Sequence, residues 1–248
     1  QSGRFPLKKI ISMSFHRGCN TPSNKIIVRK IELVFPSTLR ILMLSKEILE
    51  SIKSLKPTFF KETVKNIFSF KELETLLNLR PFVTNSRFIP VHSKQYTWKA
   101  AGWLSDKNSF PPHVIKDVIK TSVCYLRDAS RANKKLNTIC KEIEEATHWP
   151  TDAHIYFSVK EKETPIKGFG KHKDHQHNLI ICVQGSYEIT IYDLKDKKII
   201  NKILKPGNGV FIPANHNHQI DPLSKRLSVS FAMAPYESIF QEREWISL

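Results

Sequence analysis

Cysteine is sparse and scattered in this 248-residue chain: Cys19, Cys124, Cys140 and Cys182 stand far apart, and no two form a Cys-x-x-Cys pair. That argues against a zinc site or a disulfide framework and fits a reducing compartment. Cys182, inside an apolar run, reads as a small core residue. Long apolar runs are missing too. None approaches the roughly 18–20 residues that cross a bilayer, so no membrane partner is expected. No internal repeat or low-complexity tract interrupts the chain. Acidic residues are the third shortage: 23 Asp+Glu face 39 Lys+Arg, for a net charge of +16.

The charge is uneven. Residues 1–151 hold 26 Lys+Arg against 12 Asp+Glu, a surplus of 14, whereas residues 152–236 hold 12 against 8, a surplus of 4. Residues 1–31 contain no acid and seven Lys or Arg, the pattern of a transit peptide, of a basic arm that binds nucleic acid, or of a plain surface extension. A basic half draws an acidic partner such as RNA, DNA or a ribosome; a solvated lysine-rich surface is the plainer reading. The expected location is cytoplasmic or nuclear, with an organelle left open by the basic start.

Residue spacing divides the chain at about 40, 150 and 236. Residues 1–40 read as a basic extension that includes a strand-like run at 31–35. Residues 41–150 read as a mostly helical region packing on a core. Helical periodicity is expected over 45–56, 59–78, 113–127 and 130–147. Residues 82–110 are irregular, with Trp98 and Trp103 packing core, and Pro150 marks a boundary. Short strands then follow one another near 153–159, 172–174, 178–184, 187–193, 198–204, 209–212, 216–220 and 226–233, with turn signals such as Gly185-Ser186 and Pro206-Gly207 between them. Residues 237–248 form a tail. The fold expected is mainly β with a helical N-terminal region (α+β), its core a jelly-roll, a double-stranded β-helix able to enclose a small ligand.

One constellation carries chemistry. His172-Lys173-Asp174 follows the glycine-flanked loop Gly168-Phe169-Gly170-Lys171, and His218 comes forty-four residues after the aspartate, behind Pro206-Gly207 and Pro213. Two histidines and a carboxylate can hold a divalent iron on one face and leave the opposite face open. Alternate residues of a strand share a face, so His172 and Asp174 can point together, and His218 must arrive from another strand. His175, His177 and His216 compete. His216 shares the period of two with His218, so strand geometry by itself leaves it open.

The stretches Ile155 to Ser158, Gly168 to His175, Leu179 to Gly185 and Pro206 to Gln219 resemble the Jumonji-type, cupin-fold Fe(II)/2-oxoglutarate oxygenases. The resemblance covers roughly 60–235 and is specific over 154–232. It implies that His172, Asp174 and His218 bind Fe(II), that 2-oxoglutarate and O2 are co-substrates, and that the product is a hydroxylated substrate. The nearest members act on ribosomal or other proteins or on tRNA, so a macromolecular substrate, RNA or ribosomal protein, is implied, and many related folds pair through helices. One position departs from the family. Fifteen residues after the first histidine, where a basic residue usually meets the far carboxylate of 2-oxoglutarate, stands Tyr187, which donates one hydrogen bond and no charge. Arg226, eight residues past His218 in Arg226-Leu227-Ser228, offers a planar fork in its place. Arg226 is therefore the expected anchor, with Tyr187, Ser228 and Tyr156 as hydrogen-bonding helpers. Two rivals follow from that departure: a non-catalytic cupin-fold module that binds nucleic acid, and a cupin dioxygenase or isomerase without 2-oxoglutarate. A hydroxylase of a small molecule or peptide natural product is the alternative to a macromolecular substrate.

Overall fold

The computed structural model describes residues 43–79, 88–91, 112–159 and 168–234. The basic extension, the strand expected at 31–35, Trp98, Trp103 and the tail 237–248 lie outside the described residues. Helices α1 (Lys46–Lys53), α2 (Phe70–Leu77), α3 (Pro112–Thr121) and α4 (Lys134–Thr147) are interspersed with strands β1 (Thr58–Phe60), β2 (Phe88–Val91) and β3 (Val123–Leu126). Strands β4 (Thr151–Ser158), β5 (His177–Gln184), β6 (Tyr187–Tyr192), β7 (Lys198–Leu204), β8 (Gly209–Ile212), β9 (His218–Pro222) and β10 (Arg226–Met233) follow. They form a seven-stranded sheet in the order β1-β8-β5-β10-β4-β3-β2 and a three-stranded sheet in the order β7-β6-β9. Every strand pairing among the described residues is antiparallel, as in a jelly-roll. Among the described residues no helix is long and apolar enough to cross a membrane.

Two helices are shorter than their periodicity indicates. The helix expected over 59–78 begins only at Phe70, and Thr58–Phe60 instead pairs with β8. Ser69 sets the start as the N-cap: its hydroxyl accepts the Glu72 N–H at 3.2 Å and donates to the Glu72 carboxylate at 2.7 Å. The helix expected over 113–127 stops at Thr121, and Val123–Leu126, rich in strand-favouring side chains, pairs with β2 and β4. The segment 41–150 thus supplies three strands to the large sheet as well as the helices.

The large sheet is buried on both faces. Along β5, Leu179 and Ile181 join one core with Leu136, Ile139 and Ile143 of α4, while Ile180 and Cys182 join a second core with Ile189 and Ile191 of β6. This is why 179–182 reads as an unbroken apolar run. Strand β10 has the same geometry and a different chemistry. Leu227, Val229, Phe231 and Met233 pack in the first core; Arg226, Ser228 and Ser230 occupy the other face and are buried all the same. Buried polar groups need partners, so the inner face of β10 is where a site is to be sought.

Candidate metal centre

His172 and His218 face one another as an antiparallel bridge. The His172 N–H donates to the His218 carbonyl at 3.0 Å and the His218 N–H to the His172 carbonyl at 2.7 Å. Directly opposed residues project their side chains on one side, and the two ring centroids lie 4.3 Å apart. Asp174, two residues on, shares that side. Its Oδ1 is 3.9 Å from His172 Nε2 and its Oδ2 3.6 Å from His218 Nε2. The three ligand atoms lie within 4.8 Å of one another, the one such group of His, Cys, Asp or Glu among the described residues. The strand expected at 172–174 is therefore reduced to this single bridge. The chain bends through Gly170 (φ +73°), and Gly168 lies so close to β9 that a Cβ there would stand 2.0 Å from the Ile220 carbonyl oxygen.

Both rings engage a backbone carbonyl through Nδ1. His172 Nδ1 meets the Gly170 carbonyl at 2.9 Å and His218 Nδ1 meets the His216 carbonyl at 3.1 Å. A carbonyl only accepts, so Nδ1 carries the hydrogen and the Nε2 lone pair is left for a ligand. Burial holds the His218 pKa below the usual histidine value, the Asp174 carboxylate working against it, which favours the neutral ring near pH 7.

The sequence left three other histidines open. His177 accepts the Ala214 N–H at 2.9 Å on Nδ1 and stacks on Trp149, with centroids 4.6 Å apart. His175 is exposed. His216 precedes β9, and its Nδ1 lies 3.3 Å from the Ala214 carbonyl. None of the three joins the triad group.

Asn178, which the sequence reading missed, braces the aspartate. Its Nδ2 donates to Asp174 Oδ2 at 2.9 Å, and its Oδ1 accepts the Ser230 hydroxyl at 3.0 Å. A polar residue at the head of an apolar strand, four positions after the aspartate, was the available signal. Asn178→Ala removes that brace and also leaves the buried Ser230 hydroxyl without its acceptor. Metal affinity is expected to fall about 10–100-fold, read by Co(II) titration.

The triad opens into a cavity of about 240 Å3 that also touches Tyr125, Tyr156, Phe169, Ile180, Ile220, Arg226 and Ser230. Tyr125 stacks on Tyr156 across β3 and β4, with centroids 5.2 Å apart, and Phe169 lies 5.4 Å from the His172 ring. Of the four expected cofactor contacts, Arg226 and Tyr156 border the cavity. Tyr187 and Ser228 are not among its lining residues. The Arg226 guanidinium lies 4.8 Å from the Tyr187 ring and 5.9 Å from the Tyr156 ring. Arg226 is 3% exposed, and its Nε has no hydrogen-bond partner. The Tyr187 hydroxyl, also buried, faces Ser228 but makes no hydrogen bond of standard geometry. Ser228 donates instead to the Tyr156 carbonyl at 3.4 Å. Burial pushes the Arg226 pKa down, with Tyr187 and Tyr156 opposing the shift. It also pushes both tyrosine hydroxyls up, so both remain protonated donors.

Fold and site together define a jelly-roll protein with a two-histidine, one-carboxylate group facing an internal cavity. The family model FdtA: WxcM-like, C-terminal matches residues 123–247, half of the chain, and the chain belongs to that family. No curated protein is similar enough in sequence to match it. Among solved structures it is similar to YcfD, a ribosomal oxygenase from Escherichia coli, with a TM-score of 0.55 and 21% identity over 83% of this chain and 54% of that one. The same oxygenase in complex with cobalt and 2-oxoglutarate matches with a TM-score of 0.55 and 17% identity over 80% of this chain and 55% of that one. At these identities the likeness is one of fold, and the chain spans little more than half the length of those proteins.

Proposed function

We propose that this chain is an Fe(II)- and 2-oxoglutarate-dependent hydroxylase whose iron is held by His172, Asp174 and His218. One observation supports this most: a buried Arg226, its Nε unpartnered, on the wall of the cavity that the three ligand groups face. Buried charges are ordinarily paired, and a dicarboxylate is the partner this cavity fits. The donor set fits iron as well, since two imidazoles and one carboxylate leave a face open for a keto acid and dioxygen. When bound, iron with 2-oxoglutarate and O2 supplies the hydroxylation of an unreactive C–H bond, the keto acid being oxidised to succinate and carbon dioxide.

The chain's own residues do the positioning. His172 and His218 leave Nε2 for the metal because Nδ1 of each ring is engaged by a backbone carbonyl. Asn178 turns the Asp174 carboxylate. Arg226 draws the far carboxylate of the co-substrate, steadied by the Tyr187 ring and with Tyr156 beside it on the cavity wall; Tyr187 and Ser228, expected from the sequence as further hydroxyl contacts, do not line the cavity. Ile180, Ile220 and Phe169 keep the cavity wall apolar, which limits water and strengthens these polar contacts. Anaerobic titration of the Fe(II)-loaded protein with 2-oxoglutarate tests the reading. A weak visible charge-transfer band is the expected result. Iron uptake with no band would leave a metal-binding jelly-roll that does not use the keto acid.

The substrate in this reading is macromolecular, a ribosomal protein or RNA. The surplus of 14 positive charges on residues 1–151 supports it, and so does the likeness to a ribosomal oxygenase. Polyuridylate is expected to inhibit competitively, less so as salt rises. Absence of inhibition would turn the search to small molecules and peptides.

A further inference from the structure

The segment carrying two of the three proposed ligands has little structure of its own. Residues 168–174 form one bridge and no strand, and Gly170 sits at φ +73°. Its backbone is tied by the His172–His218 pair and by the Asp174 carbonyl, which accepts the Asn215 N–H at 2.8 Å. A further tie comes from a side chain distant in sequence. Asp196 lies in the turn between β6 and β7 at φ +66°. Asp193 fixes that turn: its carboxylate accepts the Lys195 N–H at 2.9 Å and the Lys197 N–H at 2.8 Å, and its carbonyl accepts the Asp196 N–H at 3.0 Å.

From this rigid turn the Asp196 carboxylate reaches two places at once. Oδ2 accepts from Lys171 Nζ at 2.5 Å, and Oδ1 accepts from Asn217 Nδ2 at 3.0 Å. Lys171 immediately precedes His172, and Asn217 immediately precedes His218. The Lys171 ammonium also lies 4.1 Å from the Tyr192 ring centroid, and the Tyr192 N–H donates to the Asn217 carbonyl at 2.8 Å. One carboxylate therefore grips both ligand-bearing segments. Lys171 and Asp196 are 36% and 52% exposed, and pairs so open contribute little to global stability. Groups that orient a metal ligand from behind, by contrast, typically change metal affinity by an order of magnitude or more.

We infer that Asp196 is a positioning residue, a tie that sets how the His172 and His218 rings stand relative to one another and so tunes metal binding. The inference rests on the metal site proposed above. Its test is Co(II) titration of the full chain and its variants, followed by d–d absorption, with the thermal midpoint of each metal-free protein measured alongside. Asp196→Ala is expected to weaken Co(II) binding about tenfold and to alter the d–d bands, with the metal-free midpoint unchanged. Asp196→Asn, which keeps an acceptor for Asn217, loses less. Lys171→Met added to Asp196→Ala loses nothing further, because both act through one tie. Unchanged affinity and bands in Asp196→Ala, with the wild type binding Co(II), would overturn the tie and leave the metal site standing. So would an affinity that falls only in step with the midpoint. A wild type that binds no Co(II) would remove the metal site itself, and the tie with it.

Discussion

Arg226→Met is expected to weaken 2-oxoglutarate binding by about a hundredfold and yet leave the ligand-free protein at least as stable as the wild type. Two physical terms act in opposite directions. Within the fold Arg226 is 3% exposed, its Nε has no partner, and no carboxylate pairs with it among the described residues. Burying an unpaired charge costs several kcal/mol, and the buried Tyr187 ring at 4.8 Å offsets only about 2 kcal/mol of that. Methionine fills similar space without that penalty. With the co-substrate present the sign reverses. A hydrogen bond to a charged group is worth about 1.5–3 kcal/mol, and about 2.7 kcal/mol corresponds to two orders of magnitude in affinity. Calorimetric affinity and thermal midpoint, measured on the same variant, separate the two terms. A lower midpoint would mean that Arg226 serves the fold. An unchanged affinity would move the anchor elsewhere, with Tyr187 the first candidate.

His218→Ala is expected to reduce Fe(II) or Co(II) affinity by more than about a hundredfold, beyond the range of residues that merely orient a ligand. The fold should survive. The bridge between His172 and His218 uses main-chain atoms, which alanine retains, and Asp174 keeps its hydrogen bond from Asn178. His216→Ala is the control, since that histidine lies two residues away but outside the triad group. Its affinity should stay close to that of the wild type. Equal losses in the two variants would mean that the ligand set has been misassigned. Because burial lowers the His218 pKa, proton competition at this ligand begins at a lower pH than at an ordinary histidine.

Much of the architecture was legible along the chain because local and global signals agree. The β5 run, the β6 and β7 segments and the turns at Gly185 and Gly207 fall where alternation and glycine indicated. Helices were over-extended where periodicity was read without its stop signals. Ser69 caps a helix that spacing began ten residues earlier, and Val123–Leu126, continuing a helical pattern, is captured by pairing with β2 and β4. Pairing with a distant strand leaves no local trace. The same holds for Asn178, Ser230 and Asp196. Each is an ordinary polar residue in sequence, and each is made specific by hydrogen bonds to residues elsewhere in the fold.

The amino-acid sequence by itself determined most elements of the β-rich C-terminal half and the residue types available to a metal: His172, Asp174 and a later histidine. These depend on spacing and side-chain chemistry, which neighbours along the chain set. Only the tertiary structure brought His218, and not His216, within reach of His172 and Asp174, because the His172–His218 backbone bridge forms through space. It alone decided that Arg226 is buried beside a cavity while Ser228 turns its hydroxyl to a backbone carbonyl, because strand faces acquire an inside and an outside only when two sheets pack. And it alone brought Asp196 to the residues behind two candidate ligands, since a carboxylate finds its partners through space and not along the chain.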